Sequence, residues 1–274
     1  FLGSSNTLIS YEKLQELSYS SPIWSKEDLD VYVDPEKGKT YTITVDTARG
    51  QGLDYSTFTV FDTTEVPYKI VAKYRNNAIA PLLFPNIINT IGKKYNDAYV
   101  LVESNDIGAQ VADVLHHDLE YENLLTVSWY GRHGQQISSG HRADISYGVR
   151  TTKQVKKIGC SNLKSLVEED KLLIPDYDII SELTTYVTNG DTFAAEDGAN
   201  DDLATTLVLF GWLVDQTYFK ELSNQNIREK LYQNKMDTID DMTTPFGIID
   251  DGLNDVYERD AEGDLWKTVH TFNK

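Results

Sequence analysis

Hydrophobic and polar positions alternate in three early stretches of the chain. Residues 40–46 (Thr-Tyr-Thr-Ile-Thr-Val-Asp), 55–61 and 68–74 carry β-branched and aromatic residues with a period of two, the first two joined across Gly50-Gln51-Gly52. This pattern predicts three consecutive strands in a meander. Over residues 80–95 the period changes: Leu82, Leu83, Ile87, Ile88 and Ile91 recur at helical spacing, and Pro85 predicts a helix that begins late or is kinked. The apolar run 98–103 predicts a buried strand, 107–115 a helix, 124–129 a fifth strand, and 151–168 a long helix carrying Val155, Ile158, Leu163, Leu166 and Val167. The resulting order is βββαβαβα. Ahead of it, residues 1–37 read as a lead-in with one short helix, 11–17, capped by Ser10. Behind it come an extended segment at 171–174, a helix at 179–187, an extended segment at 192–195 and an apolar, buried helix at 201–216.

With 274 residues, 40% of them hydrophobic, the chain can bury one good-sized core with attachments. Its net charge of -18 argues against a generally basic nucleic-acid coat, while leaving room for a local basic groove. Cys160 is the single cysteine, which excludes an internal disulfide and a cysteine-based zinc site. The most apolar stretch, 203–214, is broken by Thr205 and Thr206 and falls short of the ~20 residues that cross a bilayer, so a soluble protein is expected. The chain begins at Phe1 without a signal peptide and reads as part of a longer one. Residues 219–274 form an acidic C-terminal extension; from 234 onward it holds ten acids and four bases, the composition of a solvated appendage.

Three motif-like features fail on context. Gly38-Lys39-Thr40 resembles the end of a phosphate-binding loop, but Val33 stands where that loop needs glycine, and a strand follows. Gly50-x-Gly52 lacks the third glycine of a dinucleotide fingerprint, with Tyr55 in its place. His116 and His117 are adjacent, so on a helix they point about 100° apart and make a poor metal pair.

The acids are more informative. Two apolar strands end in a carboxylate, Asp46 and Glu103, at the strand edge where open α/β sheets bind ligands. If the strands are parallel neighbours, which the intervening helix permits, the two acids come within reach of one cation. Asp201 and Asp202 open the most apolar helix; Asn200 can cap it, and one acid would satisfy its dipole. Converging carboxylates suit a hard divalent ion, Mg²⁺ with Mn²⁺ as a substitute, and phosphodiester hydrolysis by an activated water, with two ions ~3.5 to 4 Å apart in two-metal enzymes. A polyanionic substrate fits the charge pattern. Between residues 131 and 164, Arg132, Arg142, Arg150, Lys153, Lys156, Lys157 and Lys164 face the single acid Asp144, enough to track a DNA backbone without reading sequence. The glycine- and serine-rich stretch around Gln135-Gln136 predicts a hairpin or mobile loop.

Thr44 to Tyr55 (Thr-Val-Asp-Thr-Ala-Arg-Gly-Gln-Gly-Leu-Asp-Tyr), Val102-Glu103-Ser104-Asn105-Asp106-Ile107-Gly108 and Asn200-Asp201-Asp202-Leu203 resemble the three acidic motifs of the nuclease domain of tailed-phage large terminases, in particular the T-even-like myovirus branch. The likeness extends through Gly159-Cys160-Ser161-Asn162-Leu163-Lys164 and Phe210-Gly211-Trp212-Leu213 and covers roughly residues 38–218. It implies an α/β, RNase H-like fold: a mixed central sheet of about five strands flanked by helices, with extra C-terminal elements. It also implies a Mg²⁺-dependent endonuclease that cuts concatemeric double-stranded DNA at the start and end of headful packaging. The family's metal-binding catalytic acids fall on Asp46, Glu103 and Asp202, with Asp54 and Asp201 as candidates for supporting them and Arg49 joining the basic residues as a DNA-contact candidate. The implied partners are a packaging ATPase domain earlier in the same full-length chain, the portal and the small terminase subunit. The implied location is the host cytoplasm, on the procapsid portal only transiently and not in the mature virion. A junction resolvase or transposase-type nuclease of the same fold, and a non-catalytic docking module of the packaging motor, are the alternatives.

Overall fold

Ser10 starts the first helix as its side chain predicts: its hydroxyl accepts from the Lys13 N–H, and α1 (Tyr11–Glu16) follows. The computed structural model describes residues 6–52, 54–131, 134–138 and 145–222, and beyond them the backbone of two short strands. Two units can be distinguished, Phe1–Arg228 and Glu229–Lys274.

In the first unit the lead-in adds strands that the sequence pattern did not predict. Glu27 and Asp28 take positive φ and turn β1 (Trp24–Lys26) back along β2 (Leu29–Val31), which pairs with the fifth strand through Leu29 opposite Tyr74. Only Leu29 and Val31 are buried in this charged stretch, too short a run to show a period. The meander forms as expected: β3 (Tyr41–Asp46), β4 (Ser56–Asp62) and β5 (Tyr68–Asn76) pair antiparallel in sequence. The helix predicted to begin late is α2 (Phe84–Lys94), with Pro85 in the first turn, where a missing N–H is harmless. It returns the chain to β6 (Tyr99–Val102), parallel to β3. The sheet order is β1-β2-β5-β4-β3-β6.

Next, α3 (Gly108–Asp113) runs into a π-helical turn, Val114–Asp118. The predicted fifth strand, β7 (Thr126–Trp129), leaves the central sheet. Leu124 makes only an isolated parallel bridge to Val100, and β7 pairs instead with β8 (Gln135–Ile137) and β9 (Ile145–Tyr147). The place beside Glu103 is taken by a bridge from Val149. The long helix is α4 (Lys153–Glu168), capped by Thr152; β10 (Leu172–Leu173) then pairs parallel to β5, completing a seven-stranded sheet where about five were expected. The helix predicted for 179–187 is α5 (Tyr177–Thr185), which starts earlier because Asp176 caps it and stops where Thr184-Thr185-Tyr186-Val187-Thr188 favours extended backbone. Its last residues become β11 (Tyr186–Asn189), paired with β12 (Thr192–Ala195). The apolar helix α6 (Asp202–Leu213) is buried nearly throughout. In the second unit, β13 (Tyr257–Arg259) and β14 (Leu265–Lys267) form an antiparallel pair.

Alternation along β3 and β4 gives the central sheet two different faces. Ile43, Val45, Phe58 and Val60 pack with Phe84, Ile88 and Val111 under α2 and α3. On the other face, threonines replace aliphatic residues where α6 crosses. Thr44 Oγ1 donates to Thr206 O at 2.8 Å, Thr59 and Thr206 share a bond at 2.7 Å, and Thr57 Oγ1 donates to Asp202 O at 3.1 Å. These bonds explain why Thr206 interrupts an otherwise apolar helix, and they set the position of its first turn over the ends of β3 and β4.

Candidate active site

Asp46 is the last residue of β3, and Glu103 immediately follows β6. Because those strands are parallel neighbours with Val45 opposite Val102, and because Glu103 N–H bonds to Val45 O at 2.9 Å, the two carboxyls are delivered side by side. Burial, and then the neighbouring Glu103 charge, push the Asp46 carboxyl well above the ordinary aspartate range, and Asp46 in its acid form can donate to Glu103. Glu103 is held in turn by Asn105, whose Nδ2 donates to Oε1 at 3.0 Å. Gly108 permits the next helix to start here, since a Cβ at that position would lie 1.7 Å from the Glu103 carbonyl oxygen.

The third acid arrives from the other side of the sheet. Asp202 opens α6, and burial raises its carboxyl to about 6; the Tyr55 N–H and Arg75 favour the anion, while Asp54 and Asp201 oppose it. Asp201 also adds its charge at Asp46. Asn200 does not cap the helix as the sequence suggested. Asp201 occupies the N-cap position without a side-chain cap bond and turns its Oδ2 to the Ala195 N–H at 3.3 Å. The free N–H of Ala204 is taken from α5 by Glu182 Oε2 at 2.9 Å.

Glu182 and Arg75 are the residues that pattern reading missed. Arg75 Nη2 lies 3.2 Å from Glu182 Oε1, and its guanidinium sits 4.1 Å from the centre of the Tyr55 ring. Burial pushes Glu182 up to about 7, against the pull of the Ala204 N–H and Arg75. The available signal was a glutamate on the buried face of α5, between Ile179 and Leu183, where a charge requires a partner.

Asp46, Asp54, Asp201 and Asp202 line one cleft of about 360 Å³, with Arg49 and Tyr55 in its wall. Among the described residues no group of three or more His, Cys, Asp or Glu side chains is placed so that it could hold a metal ion as it stands. The arrangement is a contacting Asp46–Glu103 pair with Asp202 and Asp201 close enough for their charges to be felt. As a donor set it offers carboxylate oxygen alone, the chemistry of a hard divalent cation.

The predicted basic residues divide. Arg49 is committed to Asp106 through two bonds, Nε to Oδ2 at 2.7 Å and Nη2 to Oδ1 at 2.6 Å. Arg150 lines a second cleft beyond Asp106, its backbone fixed on both sides by the Gln135 amide at 2.8 and 2.6 Å. Lys153 and Lys157 are exposed on α4, and Lys156 reaches over the Tyr186 ring at 5.7 Å. Arg132 and Arg142 lie outside the described residues. His116 and His117 cluster with Tyr147, the His116 ring stacking on it at 4.0 Å.

Residues 43–210 match the family described as terminase RNaseH-like domain. Among solved structures, the large terminase nuclease of the thermophilic phage G20c with bound magnesium superposes with a TM-score of 0.57 at 22% identity, over 76% of this chain and 97% of that one. The same nuclease with bound cobalt gives 0.57 at 21% identity over the same shares, and the Thermus phage P74-26 large terminase nuclease domain 0.54 at 23%, over 74% and 93%.

Proposed function

The chain belongs to the terminase RNaseH-like domain family, and from that premise we propose that it is the metal-dependent endonuclease of a viral genome-packaging motor. Its substrate is concatemeric double-stranded DNA, cut at the start and at the end of headful packaging. One observation carries the reading: Asp46 and Glu103 touch at the ends of adjacent parallel strands, and Asp202 is held over the same edge by the Thr57 bond to its carbonyl, with Thr44 and Thr59 fixing Thr206 in the next turn of the helix.

The donor chemistry fits a divalent cation, and the phage G20c nuclease of the same fold has been solved with bound magnesium and with bound cobalt. Asp46, Glu103 and Asp202 are the residues that would hold it, Mg²⁺ in the cell with Mn²⁺ able to replace it. Once bound, the cation would supply a nucleophilic water at neutral pH and charge stabilisation for the leaving oxygen. The chain does the rest. Asn105 and the Tyr55 N–H orient Glu103 and Asp202. Asp54 and Asp201 add negative charge around Asp202, strengthening the demand for a cation. Arg150, Lys153 and Lys157 attract the phosphate backbone without reading bases. The domain works in the host cytoplasm, on a procapsid portal and beside the ATPase domain of its own full-length chain.

Plasmid nicking tests this. In Mg²⁺ the parent converts supercoiled plasmid to open-circle and linear forms, and EDTA stops it. Asp46→Asn is expected to lower the rate by at least about 10², the scale of losing one charge-stabilising group at a reacting centre. Equal rates for parent and variant would remove Asp46 from the site.

A further inference from the structure

The second cleft is the larger of the two. It encloses about 790 Å³ against about 360 Å³ for the acid-lined one, and Asp106 stands in the wall of both. The larger cleft is joined to the candidate catalytic pair through Asn105, which lines it and donates to Glu103 Oε1 and, at 3.4 Å, to Thr151 O. Two oxygens of side chains lining it, Asn105 Oδ1 and Thr151 Oγ1, are shut off from solvent and have no hydrogen-bond partner among the described residues. Its lining includes Trp129, 57% exposed at the end of β7, with no ring or cation contact among the described residues. The other aromatic wall residue, Tyr147, already stacks on His116. Arg150 completes the lining and makes no ion pair among the described residues.

We propose that this cleft is a nucleotide subsite: it takes one nucleotide of the DNA, its base unstacked from the duplex and laid on Trp129, its phosphate toward Arg150. The proposal rests on the nuclease reading and refines it. An aromatic face without a ring contact and a guanidinium without an ion pair among the described residues are the two groups that a base and its phosphate engage. The volume lies within the usual range for a small-ligand pocket. An apolar protein partner would leave the guanidinium buried without a partner. Because a base must leave its own stack to reach Trp129, the subsite distinguishes DNA with an unpaired nucleotide from fully paired duplex of the same length.

The test is binding in EDTA at low salt, where cutting is stopped. Two fluorescein-labelled duplexes are used, one fully paired and one carrying a single unpaired 2-aminopurine. The parent should bind the second more tightly and quench its 2-aminopurine emission. Trp129→Ala should weaken that complex about tenfold, the scale of one base–aromatic stack, abolish the quenching and leave the paired duplex unaffected. Trp129→Phe should recover most of both signals. Equal affinity of the parent for the two duplexes, loss on both alike in Trp129→Ala, or quenching that survives the alanine would each overturn the subsite. Plasmid nicking by the same preparation in Mg²⁺ separates the two readings: a parent that cuts but shows no preference loses only the subsite, whereas one that neither cuts nor binds loses both.

Discussion

Asp46 sits at the end of a strand whose other five residues are buried, and it shares that edge with a second carboxyl. Two acids this close cannot both ionise without repulsion, so in the metal-free protein burial and Glu103 favour the protonated form of Asp46. An amide has the shape of the protonated acid and never ionises. Asp46→Asn is therefore expected to melt no lower than the parent in EDTA at pH 7, and up to about 4 °C higher if 1 kcal/mol of repulsion is relieved. A fall of several degrees, read by calorimetry, would mean that the carboxylate stabilises the fold and that the crowding argument is wrong. The position was legible because a carboxylate closing a buried β-run is conspicuous, and the same was true of Glu103. Arg75 and Glu182 were not legible in this way. Each looks like an ordinary charge on its own element, and their meaning appears only when β5 and α5 meet behind Asp202. Arg49 was visible beside the first acidic motif, but its bidentate pairing with Asp106, 57 residues on, was not.

At the scale of elements, periodicity located most helices and strands but not their neighbours. Nothing in the run 124–129 says that β7 departs from the central sheet; that is decided by Val149 occupying the edge beside Glu103. The contact between α4 and α6 was similarly hidden, although both of its glycines stood in the sequence. A Cβ on Gly159 would lie 2.3 Å from Val208 O, and one on Gly211 would lie 2.3 Å from Gly159 O and 2.9 Å from Leu163 N. The two helices touch backbone to backbone, and Asn162 Nδ2 seals the crossing with a bond to Gly211 O at 3.0 Å. Alanine is the better helix former by about 1 kcal/mol, yet here its methyl meets main chain that cannot step aside. Gly211→Ala should therefore destabilise by about 1 to 3 kcal/mol. Ser161→Ala, on the exposed face of α4, should change the melting temperature little. A Gly211→Ala protein as stable as the parent would show that the helices separate without loss. Because α6 also carries Asp202, nicking activity should fall together with stability.

Across the whole molecule the net charge is -18, and its stability should respond to pH through the few acids that fold into low-dielectric surroundings. Glu182 is the clearest of these outside the candidate ligands: it caps α6, faces Arg75 and Asp202, and rises from the ordinary 4.5 to about 7 on folding. An acid whose affinity for a proton increases on folding binds more protons in the native state between those two values, so unfolding becomes easier as pH rises through that window. Its contribution is complete below about pH 4.5 and lost by about pH 7.5, and at about 1.4 kcal/mol per unit of displacement it amounts to roughly 3 kcal/mol at most. Asp202, raised to about 6, tilts the metal-free curve in the same direction. Replacing Glu182 with glutamine keeps an acceptor for the Ala204 N–H and removes the titration, while Arg75 retains its place over Tyr55 and its partial exposure. Melting temperatures measured in EDTA from pH 5 to 8 should decline for the parent and decline less steeply for Glu182→Gln, the two curves separating most between pH 5 and 7. Parallel curves would mean that Glu182 holds no proton in the native state and that Arg75 neutralises it completely.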